Sequence, residues 1–421
     1  MRFLFSPPAE ATAGLLSLPW RESLAEWVDD RLVEVPQRGL SRHVVRFVAE
    51  AGEVFALKEI HERLARREYQ LLRQLDKLSI PAVQVLGVVV DRGPDLDAIL
   101  VTNFLDYSTP YRALFSNPRG QHLTGRLLDA QVELLVRLHL AGFMWGDCSL
   151  SNTLFRLDAG ALSAYLVDAE TAEIHSSLSE GQRQYDVLMA QERVGGELLD
   201  LQAGGFLSED LDAVETVEDL GRRYEALWAE LTSEEILLPE EQRYRIGERV
   251  RRLNELGFDV DEIELLDVGE GSRLRLTTRV AEPGHHRRLL FARTGLDVQE
   301  KQARRLLADI AGFRSYLEQT AKRPVPEAVA ANRWLDEIYG SVMDAIPADL
   351  RGRLDDAEIF HEILEHRWFM SEAAGKDIGT TAAANDYLAR VLPEVPGDLV
   401  AGAVVPVASP PRGPENHTNA P

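Results

Sequence analysis

The stretch Trp145-Gly146-Asp147-Cys148-Ser149-Leu150-Ser151-Asn152, followed by Leu166-Val167-Asp168-Ala169-Glu170, constrains this chain more than any other. An Asp and an Asn separated by four residues, then a second Asp behind an apolar strand, are the groups that metal-assisted phosphoryl transfer requires. One carboxylate orients an attacking hydroxyl, while an amide and another carboxylate hold magnesium on nucleotide phosphates. The flanking sequence sets these groups on a definite scaffold. Residues 123–141 carry Leu127, Val132, Leu135 and Leu138 on helical spacing and are ended by Gly142, which predicts an amphipathic helix. Thr153-Leu154-Phe155 and Ala164-Tyr165-Leu166-Val167 predict two short strands joined by the Asp158-Ala159-Gly160 turn.

An Asp-x-x-x-x-Asn pattern alone recurs by chance, so its weight depends on what accompanies it. Upstream, Val54-Phe55-Ala56-Leu57-Lys58 predicts a short apolar strand carrying a lone lysine. Such a lysine, taken alone, reads as an edge-strand residue at the surface. The chain has only five lysines (Lys58, Lys77, Lys301, Lys322 and Lys376) and otherwise uses arginine. A compact ammonium and a planar guanidinium are not equivalent, so a lysine kept at the end of an apolar strand points to a requirement for lysine. In the helical stretch 61–75 the apolar stripe runs Leu64, Leu71, Leu72 and Leu75, and Glu68 fills the gap in it. A carboxylate there faces the core and needs a cationic partner, because burying an unpaired charge is costly. Lys58 is the expected partner, with Arg67 or Arg73 as the alternative; Glu62 lies off the stripe.

Residues 80–90 predict a strand entered through a Pro81 turn, and Ala98-Ile99-Leu100-Val101-Thr102-Asn103-Phe104-Leu105 a second one across the Asp91-Arg92-Gly93-Pro94 turn. Helix, loop, strand, turn, strand, Asp is the order of a kinase catalytic segment. Together these residues resemble the protein-kinase-like superfamily over roughly residues 30–205. The branch resembled is the bacterial atypical one, of the lipopolysaccharide Kdo/heptose kinase, Rio and aminoglycoside phosphotransferase types. The resemblance implies that Lys58 holds nucleotide phosphates with Glu68 as its anchor and that Asp147 is the catalytic base. It implies Asn152 and Asp168 as magnesium ligands, Asn103, Phe104 and Leu105 as the linker bonding the adenine edge, and Gly39 and Ser41 in the loop over the phosphates. ATP and Mg2+ are thus the implied cofactors. Three departures stand out. Trp145-Gly146 replaces His-Arg before the catalytic Asp, Ala169-Glu170 replaces Phe-Gly after the metal Asp, and Gln37-Arg38-Gly39-Leu40-Ser41-Arg42-His43 has one glycine where two or three are usual.

The 421 residues leave room for two to three domains, and 45% apolar with 27% charged residues is a soluble globular composition. A formal charge of −23 argues against nucleic acid or an anionic membrane as the main partner. Arg63, Arg66, Arg67 and Arg73 read as the solvated face of their helix. No run reaches transmembrane length, and the start, Met1 to Pro8, breaks too early for a secretory apolar region. One cysteine, Cys148, precludes an intrachain disulfide and fits a reducing cytoplasm; beside Asp147 it reads as a small filler in a tight loop.

Helices are expected at 181–203, where Asp186 is placed to brace the catalytic loop, and at 215–231 and 239–256. Strands are expected at Glu262–Val268, Arg273–Arg279 and Arg287–Phe291, the last two joined by an Ala281-Glu282-Pro283-Gly284 hairpin turn, then helices at 296–321, 326–345, 355–373 and 380–391. This half resembles an uncharacterised domain attached to such kinase-like cores in actinobacterial-type proteins, and the arginine bias fits a high-GC bacterial source. His361-Glu362-Ile363-Leu364-Glu365-His366 imitates a zinc-protease helix, but its histidines are five apart, on different faces. Glu362 with His366 and His361 with Glu365 read as ordinary i,i+4 pairs. Asp259-Val260-Asp261-Glu262 lacks the glycine and glutamate spacing of a calcium loop.

The expected fold class is α+β. A bilobal kinase-like core comprises residues 1–105 and 106–230, followed by an α-rich accessory domain with a small antiparallel sheet at 231–395 and a disordered tail from Pro396 onward. The expected function is ATP- and Mg-dependent phosphoryl transfer to a hydroxyl acceptor, a sugar or other small molecule, with a partner protein conceivable through the C-terminal domain. The alternatives are a nucleotide-binding pseudokinase or regulatory interaction module, and an AMP transferase.

Overall fold

Alternation builds the first sheet. Along β4 (Glu53–Ile60), Phe55 and Leu57 are fully buried on one face while Lys58 turns to the other. The computed structural model describes residues 1–35, 42–116, 124–207, 211–232, 235–237, 260–267, 274–280, 284–395 and 405–406. The chain divides into two compact units, residues 1–73 with 83–105 and 402–421, and residues 74–82 with 106–401.

In the first unit, β1 (Arg2–Phe5), β2 (Leu32–Glu34), β3 (Val44–Glu50), β5 (Val85–Val90) and β6 (Ala98–Asn103) join β4 in an antiparallel sheet of order β1-β5-β6-β4-β3-β2. Val405–Pro406 pairs with the outer edge of β2; the rest of the expected tail lies outside the described residues. One face packs on α1 (Ala9–Leu16) and its following segment through Leu15, Trp20, Leu24 and Trp27. Trp20 meets Phe3 and Trp27 edge-on, with centroids 5.7 and 5.3 Å apart. Gly87 sits against β1 where a Cβ would come within 2.2 Å of the Leu4 carbonyl oxygen, so no larger residue fits without shifting backbone. Beyond β4 runs α2 (Glu62–Lys77), with Leu72 and Leu75 buried and Arg63, Arg67 and Arg73 exposed.

The second unit is built around α4 (Thr124–Leu140), whose Leu127, Val132, Leu135 and Leu138 are all buried as the spacing requires. Around it lie β7 (Ser108–Pro110), α3 (Tyr111–Ser116), β8 (Phe143–Met144), the hairpin β9 (Thr153–Asp158) and β10 (Ala161–Leu166), β11 (Glu173–Ile174), α5 (Glu180–Ala203) and α6 (Ala213–Thr232). Ala159 and Gly160, with φ of 51° and 74°, make the two-residue hairpin turn. A second antiparallel sheet follows, β12 (Glu235–Leu237), β13 (Val260–Asp267) and β14 (Leu274–Val280), with β14 central. Then come α7 (His285–Thr294), α8 (Glu300–Ala321), and α9 (Glu327–Trp334), which passes through a π turn at Leu335–Gly340 into α10 (Ser341–Ala345); α11 (Asp356–Ala374) and α12 (Thr380–Arg390) complete the order. Their core centres on Trp334, Tyr339 and Phe360, whose rings lie 5.1 to 5.5 Å apart. The architecture is the mixed helix-and-sheet one expected, with an antiparallel sheet first and mostly helix later.

Two expectations need correction. Arg287–Phe291 is not a strand but part of α7. Its first-turn amides are met by a distant carboxylate: Glu300 accepts from His286 N at 2.9 Å and Arg287 N at 3.1 Å, and Gly295 at φ 77° ends the helix. The third strand of that sheet is instead Glu235–Leu237. Second, Glu362 and His366 do not pair. His366 bonds Asp386 at 2.9 Å and Glu362 accepts from Tyr387 Oη, while His361 lies 3.6 Å from Glu365. The helix expected over 239–256 lies outside the described residues.

Candidate active site

In the first unit, β4 and α2 bring Lys58 and Glu68 together. Lys58 Nζ lies 3.1 Å from Glu68 Oε2 and 3.4 Å from Oε1, and the Glu68 side chain is 1% exposed against 15% for Lys58. The gap in the apolar stripe of α2 therefore holds a buried carboxylate, matched by the one lysine of β4. Asn103 ends β6 with its N–H on the Gln84 carbonyl at 2.8 Å, and its side-chain amide donates to Gln84 Oε1 at 2.8 Å. The Phe104 N–H is committed to the Val54 carbonyl at 2.9 Å, and its ring stands edge-on to Phe47. Gly39 and Ser41 lie outside the described residues.

In the second unit, the loop after β8 carries Asp147 and Asn152. Gly146 adopts φ 78°, a left-handed conformation that costs glycine nothing. Asp186 on α5 is fully buried and accepts from Trp145 N and Gly146 N, each at 2.7 Å, and from His139 Nε2 at 3.0 Å. His139 Nδ1 in turn bonds Tyr224 Oη at 2.6 Å, and burial pushes the Tyr224 hydroxyl up to about 12. Three turns further along α5, Glu197 accepts from Leu150 N at 2.7 Å and Ser151 N at 2.9 Å. Two carboxylates of one helix thus hold four backbone amides of the loop, and burial raises the Glu197 carboxyl despite those donors. Hydrogen bonds from backbone N–H groups to a carboxylate are stronger than those between neutral groups.

Within the loop, Asn152 Nδ2 donates to Asp147 Oδ2 at 3.1 Å and to the Asp147 carbonyl at 3.2 Å. Asp168 follows β10; its Oδ1 accepts from Glu170 N at 2.9 Å and its carbonyl from Trp145 Nε1 at 2.9 Å. Val167 N donates to the Asn152 carbonyl at 3.0 Å, which ties the two ends of the hairpin together. Arg193 on α5 places Nε 3.2 Å from Asp147 Oδ1 while its side chain stays 59% exposed. Cys148 is buried beneath the loop with Gln131 Nε2 3.2 Å from its sulfur, and burial pushes its thiol well above the usual value.

Sequence reasoning singled out Asp186 but missed Arg193 and Glu197. Spacings of seven and four along α5 put all three on one helical face, the only local signal they leave. A rigid loop presenting a carboxylate beside an amide, with a second carboxylate at the far end of a tied hairpin, can orient a hydroxyl and hold a cation through hard oxygen donors.

The first part of the chain is similar in sequence to a kinase family, and a further, mainly helical region matches a second family. Residues 53–191 match the Lipopolysaccharide kinase (Kdo/WaaP) family, and residues 226–392 match the Domain of unknown function DUF4032. The first match spans Lys58, Glu68, Asp147, Asn152, Asp168 and Asp186, and suggests a kinase-like phosphotransferase. A solved structure titled "WaaP in complex with acyl carrier protein" is 18% identical, with a TM-score of 0.35, covering 61% of this chain and 99% of that one. No curated protein matches the chain. Among the described residues no helix is long and apolar enough to cross a membrane.

Proposed function

We propose that this protein is an ATP- and magnesium-dependent phosphotransferase acting on a hydroxyl acceptor, a sugar or another small molecule, in the cytoplasm. The observation that carries this reading is the Asp147–Asn152 contact on a loop whose backbone is held by Asp186 and Glu197. A loop held this way needs no reorganisation when charge develops in the transition state.

In this reading Lys58 neutralises the nucleotide phosphates and Glu68 fixes the direction of its ammonium. Asn103 to Leu105 border the adenine, and Gly39 and Ser41 belong to the loop over the phosphates. Asn152 and Asp168 are the magnesium ligands. The donor set fits that ion: with Asn152 Nδ2 engaged by Asp147, the amide turns its oxygen the other way, and an amide oxygen plus a carboxylate are the hard ligands magnesium takes while keeping several waters. Bound there, the ion would offset charge on the phosphate oxygens. Asp147 orients the acceptor hydroxyl and takes its proton as the acceptor oxygen bonds to the γ-phosphorus and the bond to ADP breaks. The −23 charge favours a small neutral or sugar-like acceptor over nucleic acid.

The test is incubation of the full chain with magnesium and either γ- or α-labelled ATP. Transfer or release of the γ-phosphate is expected. Label from the α-position on protein would assign AMP transfer, and no reaction with either nucleotide would assign a binding module.

A further inference from the structure

Hairpin turns normally leave their amides to water. The turn at Asp158-Ala159-Gly160 does not. Ala159 N and Gly160 N donate to the two oxygens of Glu358 on α11, at 2.8 and 2.6 Å, and Glu358 is 1% exposed. Asp158, 3% exposed, accepts in return from Gln302 N at 2.8 Å and Lys301 N at 3.2 Å in the first turn of α8. Gln302 Nε2 closes the circuit onto Glu358 at 2.9 Å. Gln299 accepts from Tyr165 Oη at 3.0 Å on β10 and donates to the Leu157 carbonyl at 2.6 Å on β9. Each side thus caps the other: the turn's carboxylate satisfies the start of α8, and α11's carboxylate satisfies the turn. Gly160 lies against His361, whose Nε2 would be 3.2 Å from a Cβ there.

The gripped residues lie in the kinase-like match and the gripping ones in the domain of unknown function. The hairpin begins directly after Asn152 and ends two residues before Asp168, with Val167 N on the Asn152 carbonyl. Its register therefore sets the spacing of those two side chains. We propose that the helices of residues 226–392 act as a positioning element for the catalytic segment, with Glu358 and Gln299 as positioning residues that hold the β9–β10 hairpin and through it the pair Asn152 and Asp168. This rests on the assignment of that pair as magnesium ligands. Buried polar circuits of this kind are costly to leave half satisfied, so the domain is a fixed part of the machinery and not a loosely tethered module.

The test uses the full chain with Glu358→Gln, which keeps side-chain volume but turns an NH2 toward donors. Gln299→Met is a second variant should the first not fold, and the exposed Glu337→Gln is the control. Amide hydrogen exchange over residues 153–166 is expected to quicken at least tenfold in Glu358→Gln and Gln299→Met, with unit-one strands unchanged. The magnesium concentration giving half of the ATP-dependent response is expected to rise about tenfold, and Glu337→Gln to match the wild type. Unchanged hairpin exchange would overturn the clamp. Faster exchange with an unaltered magnesium requirement would reduce it to a structural contact and overturn the positioning role. A wild-type protein without any magnesium response would instead sink the phosphotransferase reading, and the exchange pattern alone would then decide whether the domain holds the hairpin.

Discussion

Lys58 Nζ and Glu68 Oε2 lie 3.1 Å apart, joining the central strand of the first sheet to a helix face that otherwise buries only leucines and alanine. Removing either member takes away the opposite charge that the other faces at this distance. Lys58→Met and Glu68→Gln should each cut turnover severely. The double variant should cost much less than their sum, because the two act as one unit. Additive losses in a double-mutant cycle would separate Glu68 from the site.

Asp168 is expected to govern the metal-dependent part of nucleotide binding. ATP at a hundredfold excess over Kd stabilises the native state by about 2.7 kcal/mol. A thermal melt should show that gain with magnesium and far less with EDTA, and Asp168→Asn should abolish the difference. An equal shift with and without metal would contradict the assignment.

Replacing Asp147 by Asn keeps its shape and most of its contacts, including a partner for Asn152. A carboxylate that acts on the acceptor proton should then lose roughly 10²–10⁴-fold in kcat with ATP affinity nearly unchanged. A variant that melts early yet turns over normally would make Asp147 a loop-capping residue.

Asp158 supplies a pH dependence. Burial pushes its carboxyl from the ordinary 3.8 up to about 6, against the pull of Lys301. With the folded value raised, its stabilising contribution is fully present below about 3.8 and is lost as pH rises through about 6. Relative to Asp158→Asn, the wild type should therefore gain in melting temperature at pH 4 compared with pH 7.5, by up to about 2–3 kcal/mol of stability. A gap between the two proteins that stays constant with pH would show that Asp158 does not titrate there.

Much of the candidate site's segment was legible because it is local. The leucine spacing over 123–141, the Asp158-Ala159-Gly160 turn and the Glu68 gap in its stripe each state which face is buried or where the chain reverses. Cys148 in a tight loop was legible for the same reason, and it is buried there. Arg287–Phe291 misled because a Leu-Leu-Phe run between turn residues suits either a strand or a helix. The carboxylate that meets its helix amides, Glu300, is 13 residues from Arg287.

The sequence by itself determined the periodic elements, the buried faces and the residue types able to carry phosphoryl chemistry, since these depend on neighbours one to four positions apart. Only the tertiary structure decided partners. Arg193 and Glu197 reach a loop more than forty residues earlier, and Glu358 closes a turn 198 residues away in sequence. A charged residue on a helix face has the same local pattern whether it meets solvent, a loop or another domain. What distinguishes these outcomes is the desolvated hydrogen-bond geometry that forms when distant segments pack.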